Sequence, residues 1–296
     1  MSARPEAMVE CVPNFSEGRD AAVAAALVAA VRGVSGVFVL GETADVDHNR
    51  CVLTFAGPPG AVLDAALAAA RVAVSRIDLA RHSGVHPRIG ALDVLPFVPL
   101  AGASMGLCVE LAEHAAKRLW EDLGVPCFLY EAAARTAERR NLAFVRSPRA
   151  GAPDVGLGRH PSAGCTAVGA RKFLIAYNVN LASGDLSVAK AIAREVRESS
   201  GGLPCVKALG LELPSRGIVQ VSMNLTDFEA TPLHVAFQSV RDAAAARGVQ
   251  VEGSELIGLI PRRAMEAARG VDLRWENFRD DMVLETRLEM ARGGVP

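Results

Sequence analysis

Apolar residues recur along this chain in short blocks, some alternating with polar ones and others spaced at helical intervals of about 3.6 residues. Residues 8–12 read as a short buried strand ended by Pro13-Asn14. Asp20 stands where a helix cap belongs, ahead of a helix to Arg32 that turns Val23, Leu27, Ala30 and Val31 to one side; Gly33 stops it. A strand over 37–40, a polar segment over 42–50 and a strand over 51–55 come next. The rigid turn Gly57-Pro58-Pro59-Gly60 leads into a helix with Leu63, Leu67, Ala70, Val74 and Ile77 along one side. Beyond a polar loop, the pattern predicts a strand over 92–100 and an amphipathic helix over 104–123 ended by Gly124. Leu107, Leu111, Ala115 and Leu119 line its inner face; Glu110, Glu113, His114, Lys117 and Glu121 line the outer one. A strand over 126–130 and a charged, exposed helix or turn over 135–140 follow.

From 146 to 169 the periodicity fades into Gly, Pro and Ser, as in a linker or a functional loop at a domain junction. A second run of elements then begins: a strand over 173–181, a helix over 187–198 burying Val188, Ile192 and Val196, and strands over 206–213 and 218–225. Thr231 is placed to cap the next helix, with Pro232 at its first position and Gly248 after its end. A strand over 252–259 and a partly helical tail over 274–292 complete the pattern. Each half reads strand, helix, strand, strand, helix, strand, with extra pieces in the first, which is the order of the split βαβ, ferredoxin-like motif. The expected fold is α+β: two ferredoxin-like α/β-sandwich subdomains, a duplicated split βαβ with mixed sheets, over 1–173 and 174–296. A doubly wound sheet is the alternative, hinted at by Gly156-Leu157-Gly158, although no buried strand leads into those glycines.

A length of 296 residues fits two units of about 150 each. The net charge of −1, with no long basic run, gives no footprint for nucleic acid and points to a small molecule met by local charges. The six cysteines, Cys11, Cys51, Cys108, Cys127, Cys165 and Cys205, form no CxxC pair, so they read as free thiols of a reducing compartment. The first ten residues lack the apolar run of a secretory signal, and the alanine-rich 21–31 is too short to span a bilayer. A cytoplasmic protein without membrane contact is expected.

Chemistry concentrates in Arg81-His82-Ser83-Gly84-Val85-His86-Pro87-Arg88-Ile89-Gly90-Ala91-Leu92-Asp93-Val94, between a strong helix pattern and a strong strand pattern. Gly84, Pro87 and Gly90 forbid a regular helix here. His82 and His86 would share a face only on a helix, and no zinc-protease glutamate follows His82, so no metal is expected. His86 reads as a proton carrier or as a histidine making a loop hydrogen bond. Asp47-His48-Asn49-Arg50 is a second polar cluster. Arg50 could grip a carboxylate and Asn49 a ligand nitrogen, or the cluster is an exposed turn. The third, Gly156-Leu157-Gly158-Arg159-His160-Pro161-Ser162-Ala163-Gly164, would let backbone N–H groups approach a flat ligand, or would be a mobile linker.

Val9-Glu10-Cys11-Val12-Pro13-Asn14-Phe15-Ser16-Glu17-Gly18, His48-Asn49-Arg50, RHSGVHPRIGALDVLPFVPL, Gly169-Ala170-Arg171-Lys172-Phe173-Leu174-Ile175-Ala176 and Gly253-Ser254-Glu255-Leu256-Ile257-Gly258-Leu259-Ile260-Pro261 keep one order across nearly the whole chain. Together they resemble the formiminotransferase family, folate enzymes that take a formimino group from N-formimino-glutamate. The resemblance implies transfer of that group to N5 of tetrahydrofolate, a co-substrate, with no metal. It places the catalytic histidine immediately before Pro-Arg, at His86, and shifts His48, Asn49, Arg50 and Arg88 toward substrate binding. It lays the 156–164 loop against folate, and 41–44 departs from the animal members, so an acidic partner there falls to Asp45 or Asp47. A homodimer is implied, and a separate cyclodeaminase would act next. Use of a 5-formyl folate or N-formylglutamate, or a non-catalytic folate-binding module, are the competing expectations.

Overall fold

The computed structural model describes residues 6–46, 48–84 and 87–293. The chain divides into two compact units, Met1–Arg171 and Lys172–Pro296. In the first, β1 (Val9–Cys11), β2 (Asn14–Phe15), α1 (Ala21–Arg32), β3 (Phe38–Asp45), β4 (Arg50–Gly57), α2 (Pro59–Arg76), β5 (Leu92–Pro99), α3 (Met105–Leu123), β6 (Cys127–Glu131), α4 (Leu142–Val145) and β7 (Thr166–Ala170) follow in chain order. β1 and β2 lie antiparallel between β4 and β5, β3 pairs with β4, and β7 runs parallel to both β5 and β6. The sheet is therefore a split βαβ extended along its β5 side by two parallel strands. Its antiparallel centre sets aside the doubly wound alternative.

Local chemistry explains most of these elements. Asp20 caps α1 by accepting from Ala22 N at 2.8 Å, a contact worth about 1 kcal/mol to a helix. Val23, Leu27 and Val31 of that helix are buried as predicted. Pro13 does not end the first strand but interrupts it. A proline brings no N–H to the ladder, and pairing resumes at Asn14 opposite Val52. The segment 42–45, read as a polar loop, belongs to β3, because its partners in β4 hold it in register as far as Asp45↔Arg50. The buried face of α2 also differs from the expected one. Val62, Ala65, Ala66, Leu67, Ala69, Ala70 and Ala73 are buried, while Leu63 and Val74 are partly exposed. Alanine keeps this face thin, so α2 packs closely on α1 and the sheet, and the larger side chains reach in from the partners. Among these, Phe15, Phe55, Phe97 and Leu95 are fully buried, each contributing roughly 1.5–3 kcal/mol on removal from water.

The second unit contains β8 (Ile175–Leu181), α5 (Leu186–Val196), β9 (Val206–Leu213), β10 (Ile218–Leu225), α6 (Leu233–Ala245), β11 (Val251–Ile257), α7 (Arg262–Ala267) and α8 (Leu284–Gly293). Its strands are ordered β11-β8-β10-β9 and are antiparallel throughout. Val219, Val221 and Met223 alternate into the core. Thr231 does not cap α6. It is buried and donates its hydroxyl to the Pro204 carbonyl at 2.6 Å, leaving Pro232 at the cap position. His234 is half-buried, with its Nδ1 buried and without a hydrogen-bond partner. Asn180 lies inside β8 and donates to Glu255 and Glu276, which Arg216 also binds.

Candidate active site

The three polar clusters marked in the sequence meet in the first unit. The β3–β4 hairpin presents the first. Asn49 sits at φ 47°, a left-handed conformation that asparagine tolerates better than most residues, and is only 6% exposed. Both ends of its amide are committed to backbone. Oδ1 accepts from Gly18 N at 2.9 Å, and Nδ2 donates to the Ser83 carbonyl at 3.0 Å. Asn49 therefore ties the segment before α1 to the histidine loop. Arg88 crosses the same gap, donating to the carbonyls of His48 at 2.8 Å and Asn49 at 3.0 Å. Its Nη1 also lies 2.5 Å from His82 Nε2. Arg19 adds a third tie, to the Val46 carbonyl at 2.9 Å. His48 is exposed and pairs with Asp45 at 3.0 Å, so Asp45 is the acidic neighbour of this turn.

The third cluster is folded against the histidine loop and is not a linker. Leu79 N donates to the Ser162 carbonyl at 2.8 Å, Ala91 N to Ala163 at 2.9 Å, and Cys165 N to Ile89 at 2.8 Å. Gly90 and Gly164 face each other as an antiparallel bridge. A Cβ on Gly90 would stand 1.9 Å from the Cys165 carbonyl, and one on Gly164 would stand 2.2 Å from that of Ile89. Gly90→Ala is therefore expected to force the two loops apart and destabilise the first unit by about 1–3 kcal/mol, the usual range for overpacking. Limited proteolysis, with cleavage rising within 156–164, is the check. Within this loop His160 serves the turn itself, its Nδ1 accepting from Ala163 N at 2.9 Å. Arg159 donates to the Ile89 carbonyl at 3.2 Å, and Leu157 is 80% exposed.

Charge is distributed unevenly here. Arg50, Arg88 and Arg146 feel one another and the carboxylate of Asp93, and Arg19 adds to the field on Arg88. Burial is the largest influence lowering the proton affinity of both Arg50 and Arg88, followed for Arg50 by Arg146. Asp93 is 3% exposed, accepts from Ile89 N at 2.6 Å and pairs with Arg146 at 2.5 Å. Arg50 also donates to Asn14 Oδ1. Burial, with Arg88 next, holds His82 below the ordinary histidine value. On β1, burial pushes the Glu10 carboxyl up to about 7 against the opposing pull of Arg171. Such an excess of guanidinium groups suits a ligand carrying several carboxylates. A hollow of about 630 Å³ along α1 shares Gly18 and Arg19 with the cluster and is otherwise lined largely by alanines together with Asp20, Arg32 and Glu42.

Val85 and His86, like Asp47, lie outside the described residues. Sequence reasoning missed Arg146 and the role of Asp93. Arg146 stood at the edge of a stretch without periodicity, and Asp93 was named within the 81–94 stretch with no partner assigned to it. It also read Arg139 as exposed, whereas Arg139 pairs at 2.5 Å with the buried Asp154 carboxylate and covers the Phe128 ring.

Two α+β units, the first gathering a histidine loop, an arginine cluster and a glycine-rich loop, define the class of protein. Residues 8–171 match the formiminotransferase domain, N-terminal subdomain, and residues 176–280 match the formiminotransferase domain. The chain belongs to the formiminotransferase family. It is 42% identical to the glutamate formimidoyltransferase of Streptococcus pyogenes serotype M1, covering 92% of this chain and 95% of that one. It is 40% identical to the glutamate formimidoyltransferase of Thermoplasma acidophilum, covering 96% and 98%. The formimidoyltransferase-cyclodeaminase of Gallus gallus is 45% identical over 87% of this chain and 51% of its own length.

Proposed function

We propose that this chain transfers the formimino group of N-formimino-L-glutamate to N5 of tetrahydrofolate. The observation that carries the reading is near-full-length similarity to two glutamate formimidoyltransferases, joined to a cationic cluster suited to substrates with several carboxylates. N5 attacks the formimino carbon, giving a tetrahedral intermediate that expels the glutamate amine. N5 must lose a proton, and the departing nitrogen must gain one, because an amide anion is a poor leaving group. His86 is assigned that proton transfer. Arg50 is the anchor for a substrate carboxylate, within the field of Arg146 and Arg88. Asn49 and Arg88 build the frame around it, His48 stands at its rim, and the 156–164 loop forms the folate side.

Incubating the pure protein with formimino-glutamate and tetrahydrofolate is expected to produce 5-formimino-tetrahydrofolate, followed by its absorbance. Absence of that product alongside turnover of a formyl donor would replace the reading with formyl transfer. Folate binding with no turnover of either donor would leave a binding module. The product then requires a cyclodeaminase, an activity named in the animal relatives. A self-paired assembly would be read by light scattering.

A further inference from the structure

We propose that His82 is a positioning residue: its Nε2 is a proton-free acceptor that seats Arg88, and the pair holds the histidine loop to the β3–β4 turn. This rests on reading that loop as the transfer site, and it deepens that reading by giving the second histidine a distinct role. The geometry turns on what an arginine can do. A guanidinium only donates hydrogen bonds. With Arg88 Nη1 2.5 Å from His82 Nε2, the imidazole nitrogen must present its lone pair, and the proton of the neutral ring sits on Nδ1. The same Nη1 donates to the Asn49 carbonyl, so the 3.1 Å approach of His82 Nε2 to that oxygen is a close contact without a proton. Nη2 is fixed on the His48 carbonyl. His82 and Arg88 thus meet across a six-residue interval of sequence that contains His86.

The groups facing His82 are Arg88 from its own loop, Glu17 and Arg19 from the segment before α1, and the Asn49 carbonyl from the hairpin. Burial and the two arginines oppose a charge on the ring; Glu17 and the carbonyl favour one, and the balance keeps it neutral. Protonation would place a second cation against the guanidinium and remove the acceptor, so Arg88 would have to release. Because the folded ring titrates below the unfolded one, this contact is complete above the ordinary histidine range. It is lost as pH falls through the lower, folded value. His82 is then unsuited to carry protons in the reaction, since taking one up dismantles the frame.

The test is the protonation state of one ring. Long-range proton–nitrogen spectra of the full chain, labelled at histidine, resolve the two nitrogens of each imidazole, and His82→Gln assigns the resonance by its loss. The expected result at neutral pH is an unprotonated Nε2 and a protonated Nδ1. The midpoint should lie below the ordinary histidine value and rise in Arg88→Met. A proton on Nε2, or a midpoint that ignores Arg88→Met, would overturn the proposal. Activity supplies a second arm. Glutamine keeps an acceptor near the Nε2 position, so His82→Gln should retain kcat within about threefold, whereas His82→Leu should lose about tenfold or more with a smaller change in KM. The acid limb of the kcat profile due to His82 should vanish in the glutamine variant. Equal kcat in wild type and the leucine variant would also overturn it; if the leucine variant does not fold, the spectra decide. A wild-type protein with no transfer activity would end the functional reading, while the spectra would still establish or refute the role of His82.

Discussion

Alanine at His86 is expected to lower kcat by about 10²–10⁴-fold, the usual contribution of a positioned proton carrier. The reaction has two proton demands. N5 of tetrahydrofolate becomes cationic as it adds to the formimino carbon, and the glutamate nitrogen cannot depart without a proton. One group that takes the first proton and returns one to the second serves both needs. Histidine is the side chain whose unperturbed pKa lies near neutrality, so it does both without a large driving-force penalty. His82 is the alternative in the same loop, but its contact with Arg88 assigns its Nε2 to a structural task. The measurement is kcat for formimino transfer with both substrates saturating, beside a thermal melt and a folate-binding titration. A loss confined to kcat, partly rescued by added imidazole, supports the assignment. Full turnover in His86→Ala removes it.

The order of elements was legible because each carries a local signature. Asp20 before Val23, Leu27 and Val31, and the alternation of Val219, Val221 and Met223, need no tertiary information. What failed to show was decided by partners distant in sequence. Residues 42–45 are polar enough to look like a loop, and become a strand because β4 supplies the other half of the ladder. Thr231 has the right chemistry for a cap, yet the Pro204 carbonyl takes its hydroxyl. The buried face of α2 was hidden because its large residues dominate the apolar pattern, while the neighbouring helix and sheet require a thin alanine surface there.

The same division runs through the site. That 81–94, 48–50 and 156–164 hold polar groups among glycines was plain from composition. That they converge was not. The convergence is written in backbone contacts such as Leu79 to Ser162 and in the Gly90–Gly164 approach, which no side-chain pattern encodes. Individual roles were less legible still. Asn49 has the chemistry of a ligand-binding amide, but its left-handed backbone and two backbone partners make it a brace. Arg88 has the chemistry of a carboxylate clamp, but its terminal nitrogens hold the His48 and Asn49 carbonyls.

Asp93→Ala is expected to destabilise the first unit by about 3–5 kcal/mol, the usual effect of removing one member of a buried ion pair. Asp93 is buried and joins two otherwise separate parts of the site, with one oxygen on Ile89 N and the other on Arg146. Removing it strands the Arg146 guanidinium, whose Nε is already buried without a hydrogen-bond partner. It also frees Ile89, whose carbonyl holds Cys165 and, through it, the end of the glycine-rich loop. Asp93 is the carboxylate that offsets the mutual repulsion of Arg50, Arg88 and Arg146, so its loss weakens the frame electrostatically as well. Asparagine at the same position keeps an acceptor for Ile89 but not the charge, and should cost about half as much. The chain has two tryptophans, Trp120 and Trp275, one in each unit, so urea unfolding can be followed separately in Trp275→Phe and Trp120→Phe backgrounds. The transition reported by Trp120 should move to lower urea in Asp93→Ala, and that reported by Trp275 should move less. An unchanged Trp120 midpoint would mean that Arg146 finds another partner, and that the Asp93 carboxylate does not hold this part of the site together.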